Sequence, residues 1–263
     1  MEQEQLRRAF DEDAELYDRA RPGYPAELIE ELAALTGIRP GSRVLEVGPG
    51  TGQLTVPLAA LGTEIVAVEL GRRMAAVARR NLARFPPAVV LVSSFEDWPL
   101  PADQFDLVVS ATAWHWISPT VRVKKAVDAL RPTGALALIT THHIAGGTHA
   151  FWIEVQDCYE RWDRATESGL RLPAPDQILA PTGELDASGQ FQPAVVRRYE
   201  RDIAYSTDEY LDTLLTYSGH RTMERQQQAA LLNCIARLMD SRYGGTIIKR
   251  YLHQLVVAHR RAC

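Results

Sequence analysis

Three glycines at alternate positions, Gly48, Gly50 and Gly52, close the segment 43–52, whose residues Val44, Leu45 and Val47 are apolar. Glycines so spaced let a turn fold tightly and bring main chain against a ligand with no side chain between. Leu54 to Leu61 has helical composition, so the segment predicts a strand, a ligand loop and a helix. Glu69 ends the apolar run Ile65-Val-Ala-Val68, where doubly wound folds place a carboxylate that accepts hydrogen bonds from both ribose hydroxyls. Its bland alternative is a cap on the helix that follows from Arg72. An adenosine-bearing cofactor is expected. Gln53 stands where a dinucleotide loop has its third glycine, so G-x-G-x-G here asks for close backbone approach rather than a pyrophosphate cradle.

Trp114-His115-Trp116 follows the fourth strand-like run, at the end of the sheet where a substrate must arrive. The unperturbed pKa of His115 lies near working pH, so it is the candidate general base; core hydrogen bonding is the alternative. Trp114 and His115 are candidate substrate contacts, and Trp116 is expected to pack the cofactor pocket. His142 and His143 follow the fifth run and could reach the substrate, but neighbours on extended chain point to opposite sides, so no metal site is expected. Trp152, Tyr159 and Trp162 recur at helical spacing and should pack an added segment, with Trp152 a candidate for lining an apolar substrate pocket. Cys158, Cys234 and Cys263 are odd in number and lack zinc spacing, so free thiols are expected.

These residues need a frame to hold them. From residue 42 strand-like and helix-like segments alternate: 43–47, 54–61, 64–69, 72–85, 88–93, 105–112, 121–130 and 135–141. Short Val/Leu/Ile/Ala runs between amphipathic stretches predict an α/β fold, a parallel sheet covered on both faces. Arg131-Pro-Thr-Gly134 should break the preceding helix before the fifth strand. Leu6, Phe10, Ala14 and Tyr17 predict an amphipathic N-terminal helix, and 26–35 a second one. Segments 195–205 and 246–258 are β-rich and should finish the sheet as an antiparallel edge pair, with helices at 208–216 and 224–239 between them. The domain expectation is a single unit: helical cap 1–35, cofactor core 36–143, lid 144–192, and completion of the sheet with helical segments 193–263.

Net charge is −4 with no dense Lys/Arg block, which gives a polyanion no electrostatic footprint. The charged start Met1-Glu-Gln-Glu-Gln-Leu-Arg-Arg and the lack of a long apolar run lead to a cytoplasmic expectation with no membrane partner. A monomer or homodimer is expected.

Val44-Leu-Glu-Val-Gly-Pro-Gly-Thr-Gly52, Glu69, Phe95-Glu-Asp-Trp-Pro-Leu100, Phe105-Asp-Leu-Val-Val109 and Leu130-Arg-Pro-Thr-Gly134 together resemble the ordered motifs of class I S-adenosylmethionine-dependent methyltransferases. Tyr17-Asp-Arg-Ala-Arg-Pro-Gly-Tyr-Pro25 and Trp114-His-Trp-Ile117 further resemble the small-molecule branch that includes trans-aconitate methyltransferases. The resemblance implies a doubly wound, Rossmann-like, seven-stranded and mostly parallel sheet with an antiparallel edge and an added helical lid. It implies S-adenosylmethionine as cofactor and S-adenosylhomocysteine as product. Glu46 and the backbone of Gly48 and Gly50 would face the methionine part, Glu69 the ribose, and Leu70 one face of the adenine, with Thr112 and Trp116 completing the pocket. Ser94 stands where relatives usually carry Asp to meet the adenine amino group, so Phe95 packing and its N–H should matter more; Glu96 is either the replacement carboxylate or a solvated surface residue. Tyr17 and Arg21 are candidates to close over the cofactor, Arg21 through the methionine carboxylate; Arg21 paired with Glu27, and Tyr17 as a plain helix residue, are the alternatives.

Several absences narrow the acceptor. No Asp/Asn-Pro-Pro-Tyr/Phe sequence and no paired-glutamate loop occurs, which favours a small molecule over nucleic acid or protein arginine. The expected activity is methyl transfer to an O, N or C nucleophile by in-line displacement. A non-catalytic S-adenosylmethionine-binding module is the alternative, and a nicotinamide-dependent oxidoreductase a more distant one.

Overall fold

The computed structural model describes residues 10–163 and 166–261. Its sheet has seven strands in the order β3-β2-β1-β4-β5-β7-β6. They are β1 (Arg43–Val47), β2 (Glu64–Glu69), β3 (Ala88–Val92), β4 (Phe105–Ala111), β5 (Leu130–His143), β6 (Val195–Ser206) and β7 (Thr246–His259). β1 to β5 pair in parallel. Gly134 meets Arg260 while Ile144 meets Arg250, so positions rise along β5 as they fall along β7, the mark of antiparallel pairing. The same reading of Gln192 with His259 and Thr207 with Gly245 makes β6 antiparallel to β7. The doubly wound α/β expectation therefore holds, with β7 inserted between the parallel strands and the edge strand β6.

The chain divides into two compact units. One comprises residues 22–141, 180–199 and the end of the chain from His253. Successive strand residues there serve opposite faces, as extended chain requires. Val44, Leu107, Val109 and Ile139 fill a core under α2 (Ala26–Thr36), α3 (Thr55–Ala60) and α4 (Arg72–Asn81). Leu45, Val108, Leu136 and Leu138 fill another, with α5 (Arg122–Ala129) and α8 (Gly183–Ser188). Residues 180–199, at the far end of the expected lid, pack in this unit.

Arg131-Pro-Thr-Gly134 does end helix α5, yet it lies inside β5 rather than before it. Phe105 pairs with Leu130 and Leu107 with Ala135, so β5 absorbs the extra residues as a bulge, a place where a strand tolerates proline.

The other unit contains the described residues up to Arg21, then 142–179 and 200–252. It holds α1 (Ala14–Ala20), α6 (His149–Glu154), α7 (Gln156–Trp162), α9 (Thr207–Leu215), α10 (Ser218–Arg221) and α11 (Arg225–Arg242) around Phe151, Trp152, Leu214, Leu231 and Ile235. Leu6, part of the predicted N-terminal helix, lies outside the described residues. The free-thiol expectation is corrected: Cys158 on α7 and Cys234 on α11 form a disulfide, with Cα atoms 5.7 Å apart. Closing a loop with a sequence separation of 76 is worth about 4.5 kcal/mol in the chain-entropy account. A disulfide is uncommon in a reducing compartment, so this bond counts against the cytoplasmic expectation. Cys263 lies outside the described residues. No helix among the described residues is long and apolar enough to cross a membrane.

Candidate functional site

The glycine loop leaves β1 where the strand order reverses, β2 on one side and β4 on the other, which is where open α/β sheets leave a crevice for ligand. Gly48, Gly50 and Gly52 all have left-handed φ, at 71°, 61° and 104°. Gly48 donates its N–H to Val68 O at 2.9 Å, and a Cβ built on it would lie 2.5 Å from the Ala113 Cβ. Only glycine fits there. Gln53 donates to Thr51 Oγ1 at 2.6 Å, and Asn81 donates to Thr51 O at 2.9 Å, so the position of the missing third glycine helps to brace the loop.

Two carboxylates flank this loop. Glu46, on β1, is 1% exposed, and its Oε2 has no hydrogen-bond partner. Burial pushes its pKa up from 4.5 to about 8; the Thr55 side chain opposes the rise, though its hydroxyl makes no hydrogen bond of normal geometry, and the Glu69 charge adds to it. Glu69 accepts from Gly50 N at 3.0 Å and from Gly71 N at 2.8 Å. Gly71 is the N-cap of α4, so this carboxylate braces the entry to the helix and the glycine loop together. A carboxylate offers about four acceptor positions, so these bonds are compatible with ribose hydroxyls.

The region expected at the adenine is more occupied than the sequence implies. Leu70 is half-buried beside the loop. Ser94 donates to Asp97 Oδ2 at 2.7 Å and accepts from Asp97 N at 3.0 Å, closing a local turn. Glu96 accepts from Ser118 N at 3.0 Å, which ties it to the stretch after Trp116. Phe95 is buried in the core, with Lys125 Nζ 5.5 Å from its ring centroid. Asp97, which the sequence reading passed over, is the carboxylate that Ser94 holds.

At the end of β4, Thr112 is the one non-glycine among the described residues with a positive φ, 58°. A β-branched residue is strained there, and strain of this kind gathers at functional sites. Its N–H donates to Ile139 O at 2.8 Å, and its hydroxyl meets the Tyr24 hydroxyl at 2.9 Å. The Tyr24 ring stands edge-on to His253 at 5.8 Å, and His253 Nδ1 meets Thr141 Oγ1 at 2.9 Å. Tyr24, Thr141 and His253 thus join Thr112 at the carboxyl ends of β4 and β5. No motif points to His253, which is brought here by an antiparallel strand more than a hundred residues later.

His115 is exposed and stacks on Trp116 at 4.8 Å between ring centroids. Partial enclosure first, and the Arg122 charge second, hold its pKa below the ordinary 6.5, so its imidazole is neutral at pH 7. Trp114 turns away: its ring is buried, its Nε1 donates to Glu184 at 2.5 Å, and Arg122 grips the same carboxylate while donating to Trp114 O at 2.9 Å. Its expected substrate contact is therefore corrected to a core role.

The remaining candidates lie in the helical unit. Arg21 donates to Thr216 O at 3.1 Å and stacks over Tyr217 at 4.2 Å and Tyr17 at 5.1 Å. Trp152 is buried, donates to Ile248 O at 3.2 Å and stands edge-on to His143 at 4.4 Å, which makes it core rather than pocket lining. His142 is half-buried.

The fold is shared with solved methyltransferase structures. Residues 45–138 match the family described as methyltransferase domain. An uncharacterized methyltransferase of Mycobacterium tuberculosis is 38% identical over 123 residues, 47% of this chain and 48% of its own. A malonyl-[acyl-carrier protein] O-methyltransferase of Geobacter sulfurreducens is 35% identical over 123 residues, 45% of each chain. The chain thus spans about half the length of the curated relatives it matches. A solved structure of a candidate type II methyltransferase from Anaeromyxobacter dehalogenans superimposes with a TM-score of 0.65 at 22% identity, over 91% of this chain and 97% of that one.

Proposed function

We propose that this protein transfers the methyl group of S-adenosylmethionine to a small-molecule acceptor at oxygen, nitrogen or carbon. One observation carries the reading: a cradle of three left-handed glycines beside a buried carboxylate, Glu46, with an orphaned oxygen. That pairing suits a ligand that brings positive charge and needs backbone contact, and S-adenosylmethionine carries both a sulfonium and an ammonium. When bound, it supplies an electrophilic methyl on a good leaving group. The residues here bind and align it: the Gly48 and Gly50 backbone and Glu46 toward the methionine part, Glu69 toward the ribose, and Leu70, Phe95 and the Ser94 turn toward the adenine. Thr112 and Trp116 complete the cofactor pocket, with Tyr24 held to Thr112 through their hydroxyls, and alignment is the main contribution asked of them. His115, neutral at pH 7, is placed to take a proton from an acceptor that carries one.

Titration calorimetry with S-adenosylmethionine and NADH tests the cofactor, and a screen of acceptors for S-adenosylhomocysteine release tests the transfer. Failure to bind the sulfonium cofactor sinks the reading. Glu69→Ala is expected to weaken cofactor binding by about 1 to 3 kcal/mol and also to lower thermal stability, since Gly50 N and Gly71 N lose their acceptor. Unchanged affinity in a folded variant would remove the ribose assignment. His115→Ala should slow single-turnover transfer by roughly a hundredfold or more if the base is real; a normal rate at saturation eliminates it.

A further inference from the structure

His115 rides on the single turn Trp114–Trp116, which is too short to hold its own shape. The carbonyls of Trp114 and Ile117 both accept from one guanidinium. Arg122, the first residue of α5, donates to Trp114 O at 2.9 Å and to Ile117 O at 3.3 Å, and lies 5.7 Å from the Trp114 ring centroid. Its other edge meets Glu184 on α8, with Nε 2.8 Å from Oε2 and 3.0 Å from Oε1, and with Nη2 on Oε2 as well. Glu184 Oε1 also accepts from Trp114 Nε1 at 2.5 Å. Glu96 holds the chain just beyond the turn through Ser118 N at 3.0 Å, and Lys125 Nζ donates to the carbonyls of Glu96 and Trp98 at 2.8 Å and 2.5 Å. All of these residues belong to the unit that contains 22–141 and 180–199.

Arg122 opens a helix, where the dipole repels a cation, and its side chain is only 16% exposed, so its place is costly unless an anion sits against it. Glu184 is that anion, 28% exposed and in the first turn of its own helix. The pair orients the turn from two sides. Trp114 is drawn inward through its indole and its carbonyl, which leaves the next residue, His115, exposed against Trp116. The pair also decides how much positive charge the imidazole meets. Enclosure first, and Arg122 second, lower the His115 pKa, and repulsion between like charges grows when the cation loses its partner. We infer that Arg122 and Glu184 are positioning residues for His115, a fork and a carboxylate that aim the imidazole and set the charge around it. The inference rests on the reading of His115 as the base, and it adds residues from two separate helices that no motif marks.

The imidazole of His115 is titrated by NMR in the full-length chain, without cofactor or acceptor, with its resonances assigned from His115→Ala. Arg122→Met is expected to raise the pKa above the wild-type value, because a repelling charge is gone. Glu184→Gln is expected to lower it, because the amide still accepts hydrogen bonds but no longer offsets Arg122. Arg122→Lys keeps the charge and should stay close to wild type. Diethyl pyrocarbonate, which attacks the neutral imidazole, checks the same order: at a pH below the wild-type midpoint it should modify His115 faster in Glu184→Gln and slower in Arg122→Met. A merely structural pair gives another result, since a loosened turn lets His115 drift up toward its ordinary 6.5 in both variants. Shifts in one direction, or no shift in either, overturn the inference. Where Glu184→Gln fails to fold, the arginine variants decide alone, and equal rises in Arg122→Met and Arg122→Lys overturn it. No step here needs methyl transfer, so the two readings fail separately: if His115→Ala transfers at a normal rate while the opposed shifts are found, the base falls and the hold of Arg122 and Glu184 on His115 stands.

Discussion

Glu46→Gln is expected to make the unliganded protein more stable at pH 9, by about 3 kcal/mol or more, while leaving it nearly unchanged at pH 4. The Glu46 carboxyl keeps its proton up to about pH 8 in the folded chain, against 4.5 as its ordinary value. Between those values the folded state binds more protons than the unfolded one, so stability is full below the lower value and is lost as pH rises through the upper one. Glutamine matches the neutral acid in shape and cannot ionise, so it removes that loss. Chemical denaturation of both proteins from pH 4 to 9 checks this, because contributions from other groups cancel in the difference. Parallel profiles would mean that the carboxyl is not held protonated. The same substitution should cost cofactor affinity. A cationic ligand favours the ionised form, so wild type should release a proton on binding at pH 7, seen as a buffer-dependent heat, and the variant should not.

The contrast between Glu46 and the helical unit explains what the sequence could and could not disclose. Motifs confined to one strand and the turn after it were legible, because their geometry is fixed by neighbours along the chain. The left-handed glycines after Val47, Glu69 at the end of β2 and the alternating cores of β1, β4 and β5 all belong to this kind. Side chains that need a partner from elsewhere were not. Trp114 looked like a mouth residue until Glu184 and Arg122 claimed its indole and carbonyl. Ser94 stands where an adenine contact is expected, but its hydroxyl, three residues from Asp97, closes a local turn. Cys158 and Cys234 carry no pairing signal, since only the packing of α7 and α11 brings them together. His253 reaches Thr141 because β7 returns antiparallel beside β5, a register that periodicity in either segment leaves open.

Gly48→Ala is expected to cost about 3 kcal/mol of stability and to abolish measurable cofactor binding, and the cost has two separable parts. One is conformational: φ is 71°, where an L side chain loses about 1 to 2 kcal/mol whatever the space. The other is steric, because the new Cβ would lie 2.5 Å from the Ala113 Cβ. Ala113→Gly removes the second atom and leaves the first penalty intact. In the double variant, therefore, stability should return to within about 1 to 2 kcal/mol of Ala113→Gly alone, with a coupling energy of about 1 kcal/mol or more between the sites. Denaturation of the four proteins measures that cycle. Additive effects would show that the loop moves aside rather than pressing on Ala113. Cofactor binding supplies a further reading of the same cycle. If relief of the clash restores affinity, Gly48 is required by Ala113 and the fold. If affinity stays lost in a double variant that has regained its stability, the glycine is required by the ligand itself, whose methionine part then has no room for a methyl group at this point of the loop.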